Sequence, residues 1–179
     1  LDGYGTNEQL TSSPASIQES TSQKPEPEPK PDPDPIQIKD LEIYGDANSI
    51  PTEDVLNGKD GNDKIYGLLK ADTLNGGSGN DRLYGDYGDD LLNGDAGNDD
   101  LYGEQDNDTL NGGSGNDRLT GGEGFDLLIG GPGDDTYIID DERDSIDDQG
   151  LDTDIDTVIF RANLTTYNVP DSIKNARLD

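Results

Sequence analysis

The chain has 179 residues, of which only 28% are hydrophobic, and it carries 24 Gly and a formal net charge of -29. So acidic a composition lies near the disordered class unless something neutralises the carboxylates. It argues against nucleic acid as a partner, because a phosphate backbone demands Lys and Arg. The chain has neither Cys nor His, so no disulfide framework and no usual zinc ligand are available. No segment has transmembrane length, and we expect no direct insertion into a membrane.

Residues 1–35 carry no hydrophobic period. Ser and Thr are frequent in residues 11–23, and Pro alternates with charged residues over 24–35. This composition predicts a disordered, extended linker. A linker implies a domain on its far side. Because the first residue is Leu1, we interpret the chain as a processed product or a fragment, with any catalytic activity in a domain upstream of residue 1.

The hydrophobic pattern begins at residue 36. Apolar and polar residues alternate roughly over 36–43, which predicts one or two short strands. Asp54, Leu56 and Asn57 then lie in phase with the repeat that follows, although the Gly residues of that repeat are missing. We therefore predict that residues 36–57 form an amino-terminal cap containing a degenerate repeat.

Residues 58–138 form nine consecutive blocks of nine residues without insertion or deletion, and each block begins with Gly. So strict a period predicts a solenoid, in which each repeat stacks on others instead of folding alone. The sixth place of the blocks is held by Asp63, Asp72, Asp81, Asp90, Asp99, Asp108, Asp117, Asp126 and Asp135. The eighth place is apolar and holds Ile65, Leu74, Leu83, Leu92, Leu101, Leu110, Leu119, Leu128 or Tyr137.

A second period of eighteen residues lies within the first. The ninth place alternates between Tyr and Asn, as in Tyr66, Asn75, Tyr84 and Asn93. Odd and even repeats therefore occupy different environments, which predicts one coil per two repeats, with odd repeats in one sheet and even repeats in the other. We expect three strand residues and six turn residues per repeat, with the middle strand residue pointing inward.

Several blocks resemble a known family. GGSGNDRLY (76–84), GDAGNDDLY (94–102) and GGSGNDRLT (112–120) are similar to the haemolysin-type calcium-binding repeat of the RTX family, GGxGxDxUx. The resemblance implies an all-β fold, a parallel β-roll that is a two-sheet β-solenoid with 18 residues per coil, with short caps at both ends. It also implies that the sixth-place Asp side chains of two turns one coil apart bind calcium together with backbone carbonyls of the Gly-rich places.

The residues that the resemblance implicates beside the Asp series share the first four places of the blocks. They are Gly58, Asp60, Gly61, Gly76, Gly77, Ser78, Gly79, Gly85, Tyr87, Gly88, Gly94, Asp95, Ala96, Gly97, Gly103, Gln105, Gly112, Gly113, Ser114, Gly115, Gly121, Gly122, Glu123, Gly124, Gly130, Gly131, Pro132 and Gly133.

The chemistry of these residues favours calcium independently. Calcium takes six to eight hard oxygen ligands, which carboxylates and Gly carbonyls supply, whereas soft or nitrogen ligands are absent. Gly at the first, second and fourth places is expected to reach positive φ and turn its carbonyl inward. Pairing turns one coil apart gives up to seven sites, or eight if Asp54 pairs with Asp72. Residues 58–138 hold 18 acidic and 5 basic residues, a net of -13, which seven calcium ions would balance.

The repeats are not equal. Leu68, Leu69 and Lys70 stand where Gly or small residues belong, and Asp106 replaces another expected Gly. All four residues lie in even repeats. We therefore expect the odd edge to bind calcium better than the even edge.

Residues 139–179 are predicted to form a carboxy-terminal cap. Apolar groups occupy outward places at Phe125, Leu127, Ile129 and Ile138, and such a cluster needs a cover. Residues 137–139 and 157–160 are expected to be strands, and Leu164, Tyr167, Val169 and Ile173 are available for packing.

Two further patterns have simpler interpretations. Asp152, Asp154 and Asp156 resemble the start of an EF-hand loop, but its sixth position is Thr157 instead of Gly, so we reject that interpretation. The series Tyr66, Tyr84 and Tyr102 is either a sugar-binding platform or a ladder of stacked rings on one sheet face, and stacking is the commoner arrangement.

Function follows from the resemblance as an expectation. It implies a calcium-binding module of a secreted bacterial protein, unfolded at low cytosolic calcium, exported by the one-step type I machinery, and folded by calcium outside the cell or on its surface. The chain lacks His and shows no nucleophile paired with a base, so we do not expect an enzyme. Two alternatives stay open: the calcium-dependent module of an extracellular enzyme acting on polysaccharide, protein or lipid, and an adhesin or surface solenoid with a surface or polysaccharide partner.

Overall fold

The computed structural model describes residues 40–45, 53–150, 154–161, 164, 167–171 and 173, and the backbone of 175–178. The predicted linker, 1–35, and the first residues of the predicted amino-terminal cap lie outside this part of the chain. Within the described residues all regular structure is β, and no helix is long and apolar enough to cross a membrane.

In the described part of the chain, fourteen strands form two sheets, and every strand pairing is parallel. The large sheet has the order β1-β3-β5-β7-β9-β11-β13-β14 and the small sheet β12-β10-β8-β6-β4-β2. The strands are β1 (Glu42–Tyr44), β2 (Val55–Asp60), β3 (Lys64–Leu69), β4 (Thr73–Ser78), β5 (Arg82–Tyr87), β6 (Leu91–Ala96), β7 (Asp100–Gln105), β8 (Thr109–Ser114), β9 (Arg118–Glu123), β10 (Leu127–Ile129), β11 (Thr136–Ile139), β12 (Ser145–Ile146), β13 (Thr157–Phe160) and β14 (Asn175–Leu178).

The coil of eighteen residues is confirmed. Ile65 lies beside Leu83 in the large sheet, and Leu74 lies beside Leu92 in the small sheet. Odd repeats build the large sheet and even repeats the small one. The chain is therefore a parallel two-sheet β-solenoid, and equivalent residues of successive coils form straight rows.

The strands differ from the prediction in length, because most of those in the array have six residues instead of three. The ladder continues through the second and third places of the following block, as the pairing of Leu68 with Asp86 shows. The second place of every block has positive φ, which bends the strand without breaking the ladder. Only the fourth to sixth places remain for the turn.

The solenoid extends beyond residues 58–138 at both ends. Lys64 pairs with Glu42, 22 residues earlier, and Thr136 pairs with Thr157, 21 residues later. These coils contain insertions, whereas Leu128 pairs with Ile146 at the regular spacing. The degenerate amino-terminal repeat is also found, since Leu56 of β2 lies beside Leu74.

The core is a single column of side chains between the sheets. All nine eighth-place residues, from Ile65 to Tyr137, have no exposed surface. Val158 continues the column at the carboxy-terminal end. Four cap residues pack partly or fully buried against the column, as predicted; they are Leu164, Tyr167, Val169 and Ile173.

The expected cover of the outward apolar residues is found only in part. Ile138 is buried. Phe125, in contrast, stays 52% exposed, and the guanidinium carbon of Arg143 lies 3.7 Å from its ring centroid. A cation over the ring takes the place of an apolar cover there, because the next coil offers a charged residue at that point.

The single core column predicts that substitutions at two adjacent leucines lower the stability by very different amounts. Leu92 has no exposed surface, whereas Leu91 is 38% exposed on the outer face. We expect Leu92→Ala to lower the free energy of unfolding in saturating calcium by about 2–5 kcal/mol, and Leu91→Ala by less than about 0.5 kcal/mol. Urea unfolding followed by circular dichroism measures both values. Equal losses in the two variants would contradict a core made of one column.

Candidate metal centre

The sixth-place Asp side chains join each coil to the preceding one. One carboxylate oxygen, Oδ1, accepts a hydrogen bond from the backbone N–H of the residue at the equivalent position one coil earlier, at 2.7–2.8 Å for all nine Asp. For example, Asp99 accepts from the N–H of Asp81. Each of these side chains is at most 3% exposed. The carboxylates therefore lie inside the roll, along both of its edges.

The second carboxylate oxygen, Oδ2, is buried and has no hydrogen-bond partner within the described part of the chain. This holds for all nine members of the series: Asp63, Asp72, Asp81, Asp90, Asp99, Asp108, Asp117, Asp126 and Asp135. A buried carboxylate oxygen without a donor is costly unless a cation or a proton balances its charge. The pattern thus points to nine positions that need positive charge.

The unpaired oxygens face the first-place Gly residues. A Cβ added to Gly76 would contact Oδ2 of Asp81 and would lie 2.8 Å from the carbonyl oxygen of Gly94, one coil later. The equivalent Cβ at Gly85 would contact Oδ2 of Asp90. A carboxylate oxygen and a carbonyl oxygen thus converge beside the first-place Gly of the first six blocks, from Gly58 to Gly103. Hard oxygen donors of these two kinds fit calcium.

The first-place Gly residues do not have the positive φ that the sequence suggested. Positive φ is found at the second place of every block and at the fourth place of every block except Gly124. At the first place Gly is needed for space, because a Cβ would overlap the carboxylate oxygen of the Asp five residues later. Gly therefore serves two purposes in the repeat. At the first place it leaves room for the carboxylate, and at the second and fourth places it adopts positive φ without strain.

The structure separates the predicted carbonyl donors into two groups. First-place carbonyls lie near Oδ2, as at Gly94. Third-place carbonyls of Ser78, Tyr87, Ala96 and Ser114 accept hydrogen bonds from the fourth-place N–H one coil earlier. Their direct part in calcium binding stays a prediction, as do the individual roles of the other predicted carbonyl donors.

Fifth-place side chains form a second ladder that sequence reasoning missed. Oδ1 of Asn62 accepts from the N–H of Asn80, and Oδ1 of Asn80 from the N–H of Asn98. This ladder runs from one coil to the next, opposite in direction to the Asp ladder. The recurrence of Asn in phase at residues 62, 80, 98, 107 and 116 was the signal that could have found it.

The Asp ladder also continues past the nine blocks. Asp144 accepts from the N–H of Asp126 at 3.2 Å, and Asp156 accepts from the N–H of Asp135 at 2.8 Å. Sequence reasoning missed Asp144 because its block lacks Gly, and it assigned no role to Asp156 once the EF-hand interpretation was rejected. Both are buried sixth-place residues of later coils.

The expected difference between the two edges has a counterpart in the backbone. Seven residues other than Gly have positive φ within the array, and five of them lie in even repeats: Leu68, Lys70, Asp86, Glu104 and Asp106. Residues with a Cβ are strained in this conformation. Oδ2 is unpaired on both edges alike. Weaker binding at the even edge stays a prediction.

The Tyr side chains form a stacked ladder on the outer face of the large sheet. Adjacent rings of Tyr44, Tyr66, Tyr84 and Tyr102 have centroids 4.8–5.0 Å apart and interplanar angles of 6–7°. This spacing equals the distance between neighbouring strands, so the register alone explains the stacking.

Burial controls the protonation of the Asp ladder. Loss of solvent, with a smaller contribution from the neighbouring carboxylates, raises the pKa of Asp90 and Asp99 to about 7 and that of Asp108 to about 8. The hydrogen bond that each carboxylate accepts from the backbone acts in the opposite direction but is weaker. Without a cation, the fold therefore favours the protonated form.

This shift predicts that acid stabilises the metal-free fold. A carboxyl whose pKa is near 3.9 in the unfolded chain and near 6–8 in the fold binds protons more tightly when folded. The stabilisation is complete below about pH 4 and is lost as the pH rises through 6–8. We expect strand content in metal-free buffer, measured by circular dichroism, to increase as the pH falls from 8 to 5. In calcium the trend reverses, because protons compete with the ion. A flat metal-free profile would contradict these buried carboxylates.

Comparison with known families agrees with this geometry. The family model of the RTX calcium-binding nonapeptide repeat (four copies) matches residues 52–83, 67–101, 75–110, 84–119 and 111–146. The matches together span residues 52–146, more than half of the chain, and they include the degenerate block at Asp54 and the block of Asp144. Comparisons with curated proteins and with solved structures found no match. The chain belongs to the RTX calcium-binding nonapeptide repeat family.

Proposed function

We propose that this chain is a calcium-binding module of a secreted bacterial protein, which stays unfolded at low cytosolic calcium and folds on calcium binding after export. The observation that carries the proposal is the series of nine buried Asp oxygens without a hydrogen-bond donor. Carboxylates buried along a thin solenoid in this number need cations beside them along the roll.

The ligands would come from two successive coils. The Asp side chain contributes Oδ2, and the first-place Gly of the next coil contributes its carbonyl oxygen, as at Asp81 and Gly94. Bound calcium supplies the positive charge that allows these carboxylates to be buried in ionised form. With seven pairs of turns one coil apart we propose up to seven ions, which would balance the net charge of -13 over residues 58–138.

Calcium binding and folding are coupled in this arrangement. Each repeat buries a single eighth-place side chain, so the hydrophobic contribution per coil is small. The unfolded chain has no preformed site, and the free energy of ion binding therefore becomes free energy of folding. At low calcium, repulsion between successive Asp carboxylates favours the unfolded chain.

This coupling suits export. Calcium is scarce in the cytosol and abundant outside the cell, so the chain would pass through the type I export machinery unfolded and fold where the ion is present. An excess of acidic over basic residues also keeps the unfolded chain soluble. The location would be extracellular or at the bacterial cell surface.

The two alternative functions, an extracellular enzyme and an adhesin, also depend on folding driven by calcium. The chain would serve an extracellular enzyme as a calcium-dependent appendage, or an adhesin as a structural solenoid. The array carboxylates are engaged in the Asp ladder, so we place any catalysis outside this chain. Turnover of a polysaccharide, peptide or lipid by the isolated chain would overturn that assignment.

A calcium titration tests the proposal directly. We expect far-ultraviolet circular dichroism to show a cooperative change from coil to strand with calcium and none with magnesium, which demands a stricter octahedron and keeps its waters. Strand signal in metal-free buffer at neutral pH would refute ion-driven folding. Persistent coil at high calcium would refute binding by the repeats.

A pair of adjacent substitutions gives the matched control. Asp99→Asn keeps the oxygen that accepts from Asp81 but removes the buried charge, whereas Asp100→Asn removes an equal charge from a surface pair with Arg82. We expect Asp99→Asn to weaken calcium binding at its own site about tenfold, which corresponds to about 1.4 kcal/mol, and so to raise the calcium concentration at half-folding. Asp100→Asn should leave it within a factor of about two, since surface ion pairs contribute little.

A further inference from the structure

The coil after the last nonapeptide block departs from the repeat at its first place. In the array the first-place carbonyl accepts from the second-place N–H one coil earlier, as Gly130 accepts from Gly113 at 3.0 Å. The carbonyl of Asp148 accepts from the N–H of Gly131 at 2.7 Å in the same way. Asp148 therefore holds a first place, where every block of the array has Gly, and it brings an additional carboxylate to the site.

The eighth place of the last block is also unusual. It holds Tyr137, whereas the other blocks have Leu or Ile. The hydroxyl of Tyr137 donates to Oδ1 of Asp148 at 3.1 Å, and both side chains are buried. The Tyr thus replaces an apolar core residue with one that orients the extra carboxylate.

Three carboxylates meet at this position. One oxygen from each of Asp135, Asp148 and Asp156 lies within 4.8 Å of the others. Asp135 and Asp156 are 1% exposed and Asp148 is 7% exposed. Among the described residues, no salt bridge to Lys or Arg involves any of the three.

The orphaned oxygen of Asp135 lies at this cluster. Its Oδ1 accepts from the N–H of Asp117, and its Oδ2 is buried without a partner. A Cβ added to Gly130 would contact both this Oδ2 and the hydroxyl oxygen of Tyr137. The unpaired oxygen of Asp135 thus lies close to the Tyr137 hydroxyl, which donates to Asp148.

A further carbonyl oxygen lies near the cluster. A Cβ added to Gly150 would lie 2.8 Å from the carbonyl oxygen of Gly131 and 3.4 Å from Oδ1 of Asp148. The oxygens of one calcium ion lie 2.3–2.6 Å from it, so opposite ligands are about 5 Å apart. A group of oxygens within 4.8 Å of one another fits that shell.

We propose that Asp135, Asp148 and Asp156 form a separate site for one calcium ion, which fastens β13 and its cap to the last nonapeptide block. The site has three carboxylates from three segments of the chain, whereas each array position offers one unpaired carboxylate oxygen beside a Gly carbonyl. Affinity for calcium rises with the number of charged ligands. This site is therefore the tightest one in the chain, and it fills first. The site shares Asp135 with the series that carries the proposed function, whereas Asp148 and Asp156 lie outside that series.

The test compares charge-matched neighbours in the full chain. Asp148→Asn removes one ligand charge from the cluster, and Asp147→Asn removes the same charge from an exposed neighbour. Calcium binding is measured by isothermal calorimetry in both variants. We expect Asp148→Asn to weaken the tightest class of sites at least tenfold, and Asp147→Asn to leave it unchanged. Equal affinities in the two variants would overturn the proposal.

A second variant separates loss of the site from loss of folding. Asp148→Gly combined with Tyr137→Leu restores the residues that ordinary blocks carry at these two places and removes the additional carboxylate. We expect it to fold in saturating calcium, by circular dichroism, and to bind one tight ion fewer than the wild-type chain. An unchanged number of tight ions would contradict the site.

The two proposals fail in different ways. If the array does not bind calcium, the wild-type chain still binds one ion, and Asp148→Asn removes it. If the cluster does not bind calcium, Asp148→Asn leaves the titration unchanged while Asp99→Asn alters it.

Discussion

The carboxylate of the sixth-place Asp does two things at once, and the solenoid depends on both. Oδ1 ties its coil to the preceding one through a backbone N–H, and Oδ2 is then held inside the roll without a donor. The same geometry explains the invariable first-place Gly, since the space of its missing side chain is taken by that oxygen. The need for a cation and the need for Gly are therefore one steric and electrostatic requirement.

The two side-chain ladders run in opposite directions along the roll. A fifth-place Asn such as Asn80 accepts from the next coil, while the sixth-place Asp81 accepts from the previous one. Every turn is thereby bonded to both of its neighbours. In a solenoid each repeat contacts only adjacent repeats, so stability is carried by nearest-neighbour terms. A change in one turn is therefore expected to affect the coils on either side of it, and we expect the folding of the array to be cooperative.

The sequence predicted the coil, the division of repeats between sheets and the inward column, because all three follow directly from a period of nine with alternating Tyr and Asn. It did not predict where the solenoid ends. The coils that end at Asp63 and Asp156 contain 22 and 21 residues, so Leu41 and Asp156 lose the phase that marks the other repeats. Asp144 keeps the phase, but its block lacks Gly. Strand length was also wrong, since positive φ at the second place bends a strand and does not end it.

The difference between the two edges resides in the backbone and not in the carboxylates. Asp72, Asp90 and Asp108 on the even edge have the same orphaned oxygen as the odd series. Leu68 and Lys70, however, hold positive φ in one block, at a cost of roughly 1–2 kcal/mol each relative to a relaxed residue. The free energy gained when calcium balances the carboxylate charge of this block must first offset this strain. A loss of 1.4 kcal/mol is tenfold in affinity, so we expect the site that contains this block to bind calcium about ten- to a thousandfold more weakly than a site without such strain.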